Sequence, residues 1–250
     1  CGHFDINVRE AALDLACVFL KSPLPFEYCI EVLNIVKELL EAKDDPNGEN
    51  GTFEKDDEID QDNELDDKQK KFLYSGFWIL VRILRHYPEL TEKVMTPKIL
   101  RRANEVFDDD NPDTVIPGLI FISYVYELKY EIPHLDYNGI LHALASPPTP
   151  NVQRLAYETL NRIFTCRPDL ICKFIQHGLI IETSTGLDNA KFVDKIAISM
   201  IVCNAILKDI GSACDRVIET KSISFFLDLF EIDDEELNKL ALECLIRIFD

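Results

Sequence analysis

The chain has 250 residues, 47% of them hydrophobic, which is enough for one elongated domain or two compact ones. Its 26 basic and 45 acidic residues give a formal net charge of −19. This charge argues against binding to nucleic acid or an anionic membrane, because both need an excess of Lys and Arg. The longest apolar run, residues 196–207, is interrupted by Ser199 and Asn204 and falls short of the roughly 18–20 residues that span a bilayer.

Six segments of the sequence share the spacing of one buried helix face. Each begins with a small residue and continues with mostly apolar residues four, seven and eight positions later, the pattern of an amphipathic α-helix. The intervals between the small residues are 64, 42, 38, 41 and 44 positions. Four intervals near 42 predict stacked helical repeats, in which a small residue lets neighbouring helices approach closely. The small residues are Ala12, Gly76, Gly118, Ala156, Ala197 and Ala241.

The long first interval contains an acidic insertion at residues 43–67, with twelve acidic and two basic residues. Because so few apolar side chains cannot offset the entropy of ordering, we predict a flexible, solvated loop. Two other roles remain open. One is a calcium loop around Asp60, Asp62 and Glu64, although the glycine and the closing glutamate of such loops are missing. The other is an acidic segment that competes for a basic surface.

Shorter helices are predicted between the later long ones. Pro97 and Pro168 suit a first helical turn. Gly178 separates two short helices, and a matching pair precedes a final long helix that starts at Asp234. Ser212 and Asp234 are candidate N-caps, since their side chains can accept hydrogen bonds from free backbone N–H groups. The four short helices are predicted at 168–177, 179–187, 212–220 and 222–232.

The order of short helix, break, second helix, polar turn and long helix resembles the armadillo repeat. The best local matches are His177-Gly178-Leu179-Ile180 and residues 234–249, and the resemblance covers nearly the whole chain. It implies an all-α fold: a right-handed α-solenoid of about six repeats, forming a single domain over residues 1–250. The first repeat is truncated on its N-terminal side. The chain starts at Cys1, and we expect it to be part of a longer protein.

In armadillo proteins the long third helices line a concave groove that binds a partner. The resemblance therefore implies that positions two before, two after and six after each small residue face this groove, including Ser199 and Cys203 in the fifth repeat. Aromatic and basic residues at these positions predict an extended or helical peptide partner with acidic groups and an apolar anchor near Trp78. The predicted partner-binding residues are Tyr74, Trp78, Arg82, Tyr124, Arg154, Arg162, Lys195, Lys239 and Arg247.

Two related families offer alternatives. In the importin alpha subfamily, Trp and Asn recur at the second and sixth positions after the small residue, forming a ladder that holds basic import signals. Here Trp78 is the only such Trp and no Asn is present, which makes a nuclear-transport adaptor the weaker alternative. Formin regulatory regions have a similar architecture, so an autoregulatory domain that captures a segment of its own polypeptide remains open.

A catalytic or metal site is not apparent in the sequence. Nucleophile-elbow, phosphate-loop and zinc-protease motifs are missing. Cys166, Cys172 and His177 are the nearest approach to a metal cluster, and they lack a fourth ligand nearby. We therefore expect a protein that is not an enzyme and has no cofactor. The eight cysteines lie mostly in apolar segments, without a C-x-x-C pair, which is typical of reduced cysteines in an intracellular protein, cytoplasmic or nuclear.

Overall fold

The computed structural model of the chain is all-helical. It describes residues 11–41 except 13, 14, 17, 19, 23 and 24, together with 75–108, 111–132 and 134–250. Every regular element within these ranges is a helix, which confirms the all-α prediction. Tyr74 and the acidic insertion at 43–67 lie outside the described residues. The chain divides into two compact units, Cys1–Asp109 with Ile132–His134 and Asp110–Glu131 with Leu135–Asp250.

The first unit packs a long helix against Gly76, the glycine predicted to start the second repeat. Its helices are α1 (helical residues 11, 12, 15, 16 and 18), α2 (Phe26–Glu41), α3 (residues 75–86), α4 (Thr91–Val94) and α5 (Pro97–Glu105). Gly76 on α3 is buried, and a Cβ atom there would lie 2.9 Å from Cδ2 of Leu40. The buried Arg102 of α5 donates from Nε to the carbonyl oxygen of Leu40 at 3.2 Å. The small residue at this position therefore permits close helix packing, as the repeat predicts.

The second unit alternates long and short helices. The long ones are α6 (Pro112–Glu127), α8 (Pro150–Cys166), α11 (Phe192–Lys208) and α14 (Glu235–Phe249). Between them lie α7 (Tyr137–Ala145), α9 (Ile171–Gln176), α10 (Leu179–Asn189), α12 (Ile210–Thr220) and α13 (Ile223–Leu229). Each long helix contacts the next long helix along the chain: α6 contacts α8, α8 contacts α11, and α11 contacts α14. The short helices form two parallel series, α7 with α10 and α13, and α9 with α12.

Local sequence signals set most helix ends in this unit. Gly178 has φ = 101°, a left-handed conformation that glycine adopts without strain, and it separates α9 from α10 as predicted. The Asp234 side chain caps α14 by accepting a hydrogen bond from the Leu237 backbone N–H at 2.8 Å. The other predicted cap is wrong, because α12 begins at Ile210 and so contains Ser212.

The predicted buried face is found in most of the long helices. Gly118, Ala156 and Ala241 are all buried. Their partners seven residues later are buried as well, namely Val125, Ile163 and Ile248. Within α14, however, Phe249 was expected to be buried and is 66% exposed. The Phe249 ring therefore stays largely in contact with solvent.

The packed face of α11 was predicted only in part: Ala205 is buried as expected, but other positions differ. Ala197 and Ile201 were assigned to the packed face, yet they are only half-buried. Ser199 and Cys203, which were expected to face the groove, are fully buried. The packed side of α11 is therefore rotated from the predicted one toward Ser199 and Cys203, while Ala205 belongs to both.

Candidate partner-binding surface

The Trp78 and Arg82 side chains form one contact group on α3. They lie one helical turn apart, and the guanidinium carbon of Arg82 is 5.7 Å from the centroid of the Trp78 ring. Both side chains are half-buried. This cation–π contact holds an aromatic face and a charged group in a fixed arrangement. Such a group presents apolar area and hydrogen-bond donors to a ligand with little loss of side-chain entropy.

The other predicted aromatic residue lies in the second unit. Tyr124 occupies the last part of α6 and is half-buried. On the neighbouring α8, Tyr157 donates a hydrogen bond from its hydroxyl to Oδ1 of Asp194 on α11 at 3.4 Å. Burial and then the Asp194 carboxylate raise the pKa of Tyr157. The long helices are thus linked by a polar contact beside their apolar packing.

We call the basic side chains Arg154, Arg162, Lys195, Lys239 and Arg247 the basic row. Both arginines of α8 are exposed and have a carboxylate neighbour. Nε of Arg154 is 3.8 Å from Glu158, and Nη1 of Arg162 is 3.5 Å from Glu127 on α6. The Arg162 pair connects two consecutive long helices. Exposed pairs of this kind contribute only about 0–1 kcal/mol each, so a ligand can replace either partner at small cost.

The two bases of α14 follow the same arrangement. Nζ of Lys239 is 2.6 Å from Glu235, and Nη2 of Arg247 is 3.1 Å from Glu243. Each pair is exposed and joins residues four apart on the same helix. Four of the five bases in the row therefore have a carboxylate within 4 Å. These neighbouring carboxylates cancel most of the positive charge of the basic row. The prediction of an acidic partner depends on that charge.

Lys195 differs from the rest of the row because it lines a cleft. This cleft has a volume of about 360 Å³ and lies between α10, α11 and α13. Lys195 is half-buried, one turn before Ser199 on the packed side of α11. Asp188, Asp228 and Glu231 also line this cleft. We name it the α10–α13 cleft.

The α10–α13 cleft was not predicted from the sequence. Its apolar walls include Phe225 and Leu229, which are buried, and Phe192, which is 55% exposed at the edge. The residues that line the cleft come from α10, α11, α13 and the segment after α13, and they do not form a linear motif. The one signal of the cleft in the sequence is the pair of apolar residues at the start of α11, Phe192 and Val193. The structure shows that both are exposed.

Among the described residues, no group of three His, Cys, Asp or Glu side chains is arranged to hold a metal ion. Cys166 and Cys172 are half-buried free thiols, whereas Cys203 and Cys244 are free and fully buried. A hydrogen bond with the Cys244 side chain, and then burial, raise the pKa of the Cys203 thiol. Such a thiol is protonated at neutral pH, and the protonated form is a poor nucleophile and metal ligand.

Two further findings bear on the class of protein. Within the part of the chain that the structure describes, no individual helix has the length and apolarity to cross a bilayer; α11 and α12 satisfy these criteria only as a pair, bent by 113°. No family model, curated protein or solved structure matches the chain. The surface of the two units is therefore the basis for assigning a function.

Proposed function

We propose that this chain is a non-catalytic, intracellular protein-binding scaffold. In this proposal it is one armadillo-like domain, a right-handed α-solenoid of about six repeats, that holds a partner peptide against its long helices. The packing of like helices in the second unit carries the proposal: the long helices form one series and the short helices two others. An array of repeated helices offers a long surface of similar positions, which suits the binding of an extended segment.

The side chains at the proposed contact positions favour binding over structural support. Arg154 and Arg162 on α8, and Lys239 and Arg247 on α14, all point to solvent. Their ion pairs are weak, so loss of these side chains leaves the helices intact. Trp78 is placed for contact as well, since its ring is only half-buried and lies against Arg82. Tryptophan and arginine contribute a large share of the binding energy at many protein interfaces.

The affinity of this surface is expected to come from a few anchors rather than from net charge. Because most bases of the row have a carboxylate neighbour, a ligand must exchange one ion pair for another, which brings little net energy. The half-buried Trp78 ring offers an apolar contact that does not require such an exchange. We therefore assign Trp78 as the main anchor on the first unit, and the basic row as the group on the second unit that orients a bound partner.

A capture experiment with matched variants tests the proposal. The intact chain and the Trp78→Ala/Arg162→Ala variant are immobilised, and proteins bound from a cell extract are quantified by mass spectrometry. The control is Phe249→Ala/Arg101→Ala, which also removes one exposed aromatic and one exposed arginine paired with a glutamate. We expect a set of proteins that is retained by the wild type and the control and at least tenfold depleted on the Trp78 variant. Equal retention by all three forms contradicts the proposed surface.

A further inference from the structure

The α10–α13 cleft combines an open apolar wall with acidic side chains at its edge. Phe225 and Leu229 line it and are buried, whereas Phe192 lines it with more than half of its surface exposed. Exposing a phenylalanine to water is unfavourable, by about 25 cal/mol for each Å² of apolar area. A ligand that covers Phe192 therefore gains from removing this area from water.

The charges around the cleft determine which ligand it accepts. Asp188, Asp228 and Glu231 are exposed and line it, and Lys195 is the one base among its lining residues. Three carboxylates and one ammonium group give a formal charge of −2. Lys195 is more buried than the three acids, so the charge that meets an incoming ligand is negative. Complementary charges then favour a cationic partner.

The size of the cleft limits how much of the partner enters it. A volume of about 360 Å³ is at the low end of the roughly 300–1,000 Å³ found for small-molecule sites. It accommodates one large side chain with some backbone, but not a whole helix. Because the three carboxylates that line the cleft are exposed, they are accessible to residues next to that side chain.

We propose that the α10–α13 cleft binds a basic peptide segment, which inserts one aromatic or branched apolar side chain against Phe192 while flanking Lys or Arg residues pair with Asp188, Asp228 and Glu231. This inference goes beyond the proposed function, because it names a second site, on the second unit, and the chemistry of the ligand that this site takes. The partner charge that it predicts is positive, whereas the basic row predicted a negative one. The reason is that most bases of the row already have a carboxylate neighbour, while the cleft has three carboxylates and a single base.

The test uses the intact chain and a displayed library of random heptapeptides as the probe. The peptides selected on the wild type are synthesised with a fluorescent label, and their Kd values are measured by anisotropy. We expect the selected sequences to contain an aromatic or branched apolar residue between Lys or Arg residues. Their affinity should decrease when the salt concentration is raised from 50 to 200 mM, since screening weakens exposed charge pairs. Selection of acidic or uncharged sequences overturns the inference.

Two pairs of variants locate the peptide on the surface. Asp188→Asn/Asp228→Asn/Glu231→Gln should weaken binding at least tenfold, which corresponds to about 1.4 kcal/mol. A control of equal charge change outside the cleft, Asp113→Asn/Asp215→Asn/Glu236→Gln, should change the Kd less than twofold. All three control positions are exposed. Equal losses for both triple variants mean that only the overall negative charge matters, and the cleft is then excluded.

The apolar contact is tested with single substitutions that do not disturb the core. Phe192→Ala should weaken peptide binding at least threefold, whereas Phe249→Ala, which removes an equally exposed ring from α14, should not. Circular dichroism checks that each variant remains helical. Unchanged peptide binding by Trp78→Ala/Arg162→Ala, with lost capture of proteins from the extract, places the two sites apart. Loss of both peptide binding and capture by this variant refutes the cleft as the peptide site and leaves the proposed scaffold function standing.

Discussion

Replacing Gly186 with alanine is expected to destabilise the second unit, although the same change stabilises most helices. Gly186 lies inside α10, where its added Cβ would be 2.6 Å from the carbonyl oxygen of Leu144 and 3.3 Å from Cα of Ala145. Both neighbours are backbone atoms at the end of α7, so no side chain can rotate away. Helix α10 must move instead, by several tenths of an ångström.

That movement affects a buried hydrogen-bonded bridge. Nε2 of Gln153, on α8, donates to the carbonyl oxygens of Leu144 and Gly186, at 2.9 Å in each case. Gln153 is 4% exposed, so its amide has no alternative partner in bulk water. The alanine gains about 1 kcal/mol from helix propensity. Overpacking costs about 1–3 kcal/mol, and an unsatisfied buried amide costs about 1–3 kcal/mol more. We expect a net loss of about 3 kcal/mol.

Urea denaturation followed by circular dichroism at 222 nm measures this loss, with Gly211→Ala as the control. Gly211 lies in α12, and a Cβ there meets no atom within 4 Å, so this variant should gain about 0.5–1 kcal/mol. Gln153→Met keeps the side-chain length but removes the amide, and should cost about 1–3 kcal/mol. The Gly186→Ala/Gln153→Met double variant should lose less than the sum. The reasoning is refuted if Gly186→Ala is as stable as Gly211→Ala.

Three further outcomes follow from single contacts. Asp234→Ala removes the cap of α14 and should lower the free energy of unfolding by about 1 kcal/mol, with Asp234→Asn close to the wild type, as measured in urea. The Arg167 hydrogen bond lowers the pKa of Asp169, so the carboxylate contributes stability above its ordinary pKa that is lost as the pH falls through the lowered value. For so exposed a pair, we expect wild type to be more stable than Asp169→Asn by about 0.5 kcal/mol at pH 7. This difference in stability should be constant down to about pH 5 and vanish in stronger acid. A difference that persists at pH 2 contradicts this. When the native protein is treated with iodoacetamide, Cys166 should be alkylated well before Cys203, because the raised pKa and full burial of Cys203 suppress its thiolate. The two rates are measured by peptide mass spectrometry. Equal rates would show that this part of the core opens freely.

The spacing of small and apolar residues was sufficient to predict the all-α fold and most of the long helices. In α8 the charged residues Arg154, Glu158 and Arg162 lie on one side, so one orientation hides the apolar side chains around Ala156 from water. Gly178 and Asp234 were equally predictable, because a left-handed break and an N-cap depend on the chemistry of one residue and its neighbours.

Tertiary structure decided what the pattern left ambiguous. Helix α11 is apolar on nearly every side, so its sequence permits several orientations, and packing selected the one that buries Ser199 and Cys203. The partners of the basic row were also not predictable in full, since Glu127 reaches Arg162 from another helix. The α10–α13 cleft needs three helices to meet. A one-dimensional period specifies which residues of a helix share a face, whereas the neighbour that covers that face is determined only when the helices pack.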